Sequence, residues 1–148
     1  MKDKAKVILV DLALFLVVLF LLLLIHAVFI AGPIRVMEHE DNLYVEAFEK
    51  QERTSNLELQ NRFTLSKTYY VVKKDKELIY FDQDLKEQGV HAYVPLSDAF
   101  EKAASLGFKE KHVSYGVFNH EIVFNLEKKN HIIFLDLDDL DVLFEFGG

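Results

Sequence analysis

The chain has 148 residues, 51% of them hydrophobic, no cysteine, and 17 Lys and Arg against 24 Asp and Glu, a formal charge of 17 − 24 = −7. That length holds one domain or two very small ones and excludes a large catalytic barrel or doubly wound sheet. From Gly32 onward 14 basic face 22 acidic residues, a balance of −8 that opposes nucleic-acid binding, which needs cations to displace condensed counterions. The missing cysteine excludes disulfides, thiolate zinc sites, a cysteine nucleophile and a lipoprotein-type acylated cysteine.

Residues 1–6 read as a short tail bearing Lys2, Lys4 and Lys6, and residues 7–34 as a membrane-spanning helix. Within it, residues 12–34 carry no formal charge with His26 neutral, and such a helix covers about 30–35 Å, the thickness of a bilayer's hydrocarbon core. Lysines before the span, and Glu38, Glu40 and Asp41 soon after Arg35, predict a cytoplasmic N-terminus and an extracellular remainder at the cell membrane. Neither Ala27 nor Ala31 has a small residue two places before it, so the span reads as a retained single-pass anchor rather than a cleaved leader. Asp11 and His26 lie near its ends, where their polar groups reach the interface. Gly32-Pro33 is expected to interrupt the helix, because proline lacks an N–H and disfavours helical geometry before it.

A helix is expected over residues 38–53, turning Tyr44, Val45 and Phe48 inward and ending at Thr54-Ser55-Asn56. Strands follow over 57–65, 67–74 and 77–81, then a polar link over 82–89 and a strand over 90–94. Tyr69, Tyr70, Val71 and Val72 are apolar on both faces, which predicts a central strand. A second, shorter helix spans 98–106, with Ser97 as its cap, Gly107 as a left-handed stop and Phe100 as its anchor. Strands are expected over 112–118, 121–127, 131–138 and 140–146. The last should turn Leu140, Val142, Phe144 and Phe146 to the core, and Asn119-His120 and Lys128-Lys129-Asn130 fit tight hairpins.

The chain resembles itself. Ala47-Phe48-Glu49-Lys50 recurs as Ala99-Phe100-Glu101-Lys102, and the stretch 70–82 aligns without gaps on 124–136, each ending aromatic, apolar, aspartate. Two helix-plus-antiparallel-sheet units follow, over 35–95 and 96–148, in an α+β fold. Each alone buries only about 60% of its unfolded surface and is marginal, so they should pack on one another.

A lone N-terminal membrane helix, two such units, the run Lys67-Thr68-Tyr69-Tyr70-Val71-Val72 and a closing Phe134-Leu135-Asp136-Leu137 together resemble the TseB-like regulators of cell-wall elongation of Gram-positive bacteria. Those proteins carry tandem PepSY-like domains, a cystatin-like module also found in peptidase propeptides. Asp138-Asp139-Leu140-Asp141 stands where the module often has a Thr-Gly-Lys turn, and a tryptophan common in its second unit is missing. The resemblance implies a non-enzymatic, membrane-tethered binder of a penicillin-binding protein or another part of the machinery of peptidoglycan synthesis.

Residue patterns for chemistry are sparse. His120-Glu121 opens like a zinc-protease helix, but Phe124 stands where the second histidine belongs. Asp136, Asp138, Asp139 and Asp141 crowd as in calcium loops, yet Asp141 and Gly147 occupy the sixth and twelfth positions, which need glycine and glutamate. No nucleophile elbow or glycine-rich phosphate loop occurs, so no catalytic residue, metal ligand or cofactor is assigned. Thirteen Phe and six Tyr either fill the cores in place of tryptophan or line a groove for a partner. Tyr69, Tyr70, Tyr80 and Tyr93 are the residues that would line it. The alternatives to a wall-synthesis regulator are a propeptide-like peptidase inhibitor or chaperone, and an accessory subunit of another membrane complex contacted through the anchor.

Overall fold

A computed structural model describes the backbone of residues 2–148, with the side chains of 8–29, 33 and 35–148. The side chains of Lys2, Lys4 and Lys6, on which the expected orientation rests, lie outside the described ones. The chain divides into two units, Met1–Glu40 and Asp41–Gly148.

In the first unit α1 (Lys2–Ile25) is followed by a π-helical segment (His26–Ala31) and by α2 (Gly32–Glu52), which continues into the second unit. The stretch Ile8–Phe29 is long and apolar enough to cross a membrane, and none of it is buried within the protein. The expected break at Gly32-Pro33 is replaced by a change of helix type just before it. A π turn widens the backbone and relieves the clash between a proline ring and the carbonyl four residues earlier, so helical geometry persists across Pro33.

The second unit is the α+β part. After α2 come β1 (Glu58–Thr64), β2 (Thr68–Lys74), β3 (Glu77–Asp82) and β4 (Gln88–Ala92), an antiparallel sheet in that order. Then come a 3-10 turn (Leu96–Ala99), α3 (Phe100–Ser105) and a second antiparallel sheet, β5 (Val113–Phe118), β6 (Glu121–Lys128), β7 (His131–Leu135) and β8 (Val142–Phe146). The repeat read from sequence falls on equivalent elements. Tyr70 on β2 and Phe124 on β6 are both fully buried, and the hairpins that follow turn at Asp75 and Lys129, each with φ above 50°.

Each sheet uses its two faces in the same way. On the first, Tyr70, Val72 and Phe81 meet Val45 and Phe48 of α2, with Phe48 stacked on Phe81 at 4.2 Å between ring centres. The opposite face, with Phe63, Val71, Leu78 and Tyr80, joins the second sheet in one core. On the second sheet the register puts Val113, Tyr115, Phe124, Leu126 and Leu135 together on the side of α3. Gly116, Asn125 and Phe134 lie on the side of the first sheet, where Phe63 meets the edge of the Phe134 ring at 5.8 Å. The layers therefore run α2, first sheet, second sheet, α3, and the pairing expected of two marginal units is made face to face.

Several expectations need correction. Ser97 does not cap a helix: the entry turn starts from Pro95, so Ser97 lies inside it and its hydroxyl donates to Asp98 Oδ1 instead. Phe100 is only half-buried, while Ala99 and Ala103 are fully buried, because small side chains let so short a helix lie close on the sheet. Strand 131–138 ends at Leu135, where the Asp136 carboxylate accepts from the N–H groups of Asp138 and Asp139 and turns the chain. Gly107 does stop the helix, at φ +83°.

The last strand departs most. Val142, Leu143, Phe144 and Phe146 are all exposed, although their alternation reads as a core face. The first sheet lies mainly over β5 and β6, leaving β8 beyond its edge. A bulge at Leu143 also splits the stripe: Phe144 and Phe146 pair with Phe134 and Ile132, whereas Val142 pairs with Leu135 on the other face.

Candidate interaction surface

The four tyrosines separate by face. Tyr70 is fully buried between Tyr44 and Phe81 under α2, so it lines no groove and is a core residue. Tyr80 is buried too, and its hydroxyl donates to the His120 carbonyl at 2.9 Å across the two sheets. Tyr93, half-buried after β4, carries Lys73 Nζ 4.1 Å above its ring. Tyr69 stands at a surface depression, its ring edge-on to Tyr80 at 5.8 Å.

That depression, of about 270 Å³, is lined by Leu65, Ser66 and Tyr69 of the first sheet and by Val117, Phe118, Asn119 and His120 of the second. Two tight turns bring these residues together. Asn119 and His120 both take positive φ, 51° and 65°, as a two-residue hairpin of right-handed twist requires, and this projects the His120 side chain outward.

Behind Tyr69 and His120 lies an ion network centred on Glu87. Its carboxylate accepts from Lys67 Nζ at 2.5 Å and from the Tyr69 hydroxyl at 2.9 Å, with His120 Nδ1 3.7 Å away. The turn that delivers Glu87 is shaped by buried Asp82, whose Oδ1 accepts from the N–H groups of Lys86 at 2.8 Å and Glu87 at 3.1 Å. The bond from Lys67, then the one from Tyr69, holds the Glu87 carboxyl below the usual carboxylate range. The same contact raises Lys67, and burial raises Tyr69, with the Glu87 bond adding to it.

From this depression an apolar strip runs to the sheet edge. Phe118 lies 5.1 Å from Phe134 and 5.5 Å from Phe144, and Phe134 lies 5.4 Å from Phe144. Phe134 is fully buried, whereas Leu65 is 54%, Phe144 37% and Phe146 62% exposed, so one aromatic cluster passes from core to surface. An apolar surface of this kind, with a polar rim, suits contact with another protein. The chain matches no family model, no curated protein and no solved structure.

Chemistry has less to build on. Among the described residues no three His, Asp or Glu side chains gather as a metal site would need. The aspartates of 136–141 are engaged locally: besides the two bonds to Asp136, Asp139 Oδ1 accepts from the Asp141 N–H at 2.9 Å. Sequence reasoning missed Leu65, Glu87, Phe118 and His120. The pairing of Phe118 with Asn119-His120 at a hairpin tip was the available signal, since a bulky apolar residue beside an exposed turn has little core to enter.

Proposed function

We propose that this chain is a membrane-anchored, non-enzymatic module that binds another protein outside the cytoplasm and regulates it, with the cell-wall synthesis machinery as its target and a penicillin-binding protein as the expected partner. The observation that carries the binding role is the uncovered aromatic strip from Leu65 and Tyr69 through Phe118 to Phe144, next to a domain whose other large apolar side chains are mostly buried. The apolar stretch Ile8–Phe29 supports the anchor, and the sequence resemblance supports the choice of target.

The test is co-purification of the tagged full-length protein in mild detergent, followed by mass spectrometry, with wild type beside Leu65→Glu/Phe118→Glu. Recovery of a penicillin-binding protein that drops about tenfold or more with the double substitution, and likewise with the exposed Leu65→Glu alone at unchanged melting temperature, is the expected result, because charge placed in a desolvated apolar contact is strongly penalised. A protease recovered in its place turns the reading into propeptide-like inhibition. A partner that survives the double substitution but is lost when the anchor is replaced by an unrelated apolar helix moves the contact into the membrane. Peptidoglycan or peptide cleavage by the purified protein overturns the non-enzymatic reading.

A further inference from the structure

We infer that β8 is an open docking edge to which a partner protein adds an extended segment whose residues alternate between apolar and basic. The inference rests on the protein-binding reading and names both the edge used and the chemistry of the segment.

β8 is the outermost strand of its sheet, so half of its backbone donors and acceptors face away from β7. Proteins that need to keep such an edge closed place Lys or Pro on it, or cover it. β8 has neither residue; its bulge at Leu143 leaves Phe144–Phe146 in regular register, and it presents Val142, Leu143, Phe144 and Phe146 to solvent. Beyond the bulge at Leu143 its C-terminal part is held against the rest of the sheet. His131 Nε2 lies 2.9 Å from Glu145 Oε1, and Gly147, at φ +79°, packs so close to the Asn130 carbonyl that a Cβ would collide with it.

The register sets the pattern required of the occupant. Phe144 and Phe146 lie on the face shared with Phe134 and Ile132, and Glu145 lies on the other with Ile133. A strand added outside β8 thus places alternate side chains beside the two phenylalanines and the intervening ones beside Glu145, close in sequence to Asp141. Residues 132–148 hold five carboxylates (Asp136, Asp138, Asp139, Asp141, Glu145) and no Lys or Arg. The charge complement is therefore a basic segment. A second copy of this chain would bring the same five carboxylates within screening distance of one another.

The experiment titrates full-length protein in neutral detergent against three labelled nine-residue peptides: alternating Lys and Val, alternating Glu and Val, and the Lys and Val residues rearranged in two blocks. Fluorescence anisotropy reads affinity, and hydrogen exchange reads protection. The expected result is saturable binding of the alternating Lys–Val peptide, slowed exchange over residues 142–146, and about tenfold or more weaker binding of the other two peptides. Leu143→Lys/Glu145→Lys, and separately Phe146→Lys, should weaken it similarly; Phe146→Lys, which breaks no ion pair, should do so without shifting the melt. Equal binding of the block peptide, protection away from β8, or no binding at all overturns the inference. So does concentration-dependent self-association that these substitutions abolish, which assigns the edge to a second copy. If the co-purified partner survives the β8 substitutions but not Leu65→Glu/Phe118→Glu, edge addition fails while protein binding stands; if it survives both sets, the strip itself is wrong.

Discussion

Two glycines separate packing from backbone geometry at the scale of single residues. Gly89 lies opposite Tyr80 on β4, and a Cβ there would collide with the Tyr80 ring. That ring is buried and its hydroxyl is tied to His120, so it has little freedom to yield. Gly107 is the reverse case: φ is +83° and nothing lies within 4 Å of a built Cβ. Gly89→Ala should cost about 1–3 kcal/mol through overpacking. Gly107→Ala should cost about 1 kcal/mol through the left-handed backbone alone. Chemical denaturation checks both, and Gly89→Ala should recover with Tyr80→Leu in the background while Gly107→Ala should not.

Among the elements, the β3–β4 turn links the two sheets to solution pH through Glu87. Its folded carboxyl is depressed relative to the ordinary value of 4.5, so its stabilising contribution is present above that value and is lost as pH falls through the lower folded one. Lys67 is raised above 10.5, so its share is present below that value and is lost as pH rises through the higher folded one. Glu87→Gln should therefore lower the melting temperature at neutral pH and flatten the acid limb of the profile below about pH 4.5. A variant whose acid limb stays parallel to wild type would show that the network does no more than decorate the surface. The glutamate was not legible from sequence, because its role depends on Lys67 and His120 arriving from two other hairpins.

For the molecule as a whole, what was legible was what repeats locally. Alternation around Tyr70 and Phe124 gave the strands, and the spacing of Tyr44, Val45 and Phe48 gave the buried face of α2, because both report burial of one periodic stripe. Alternation cannot say what lies opposite a face. It therefore put Phe144 and Phe146 in a core that ends one strand short of them, and left Tyr70 and Tyr80 open between core and groove, although both face packed layers. The sheet-to-sheet core, in which Phe63 meets Phe134 and Asn61 Nδ2 donates to the Tyr115 carbonyl, binds the halves into one cooperative body. Unfolding should accordingly be a single transition, with the slowest amides of β2 and β6 exchanging at the same free energy. Two separated exchange classes would show that the halves open independently.

Only the eleven residues between Phe29 and Asp41 connect the apolar span to the second unit, and a link of that length reaches at most about 40 Å even when drawn out fully. With the span embedded, every encounter takes place in a thin shell beside the lipid headgroups. Abundance counts there per unit area rather than per unit volume, so a modest intrinsic affinity suffices for a neighbour anchored in the same bilayer, and a freely diffusing protein gains nothing from the arrangement.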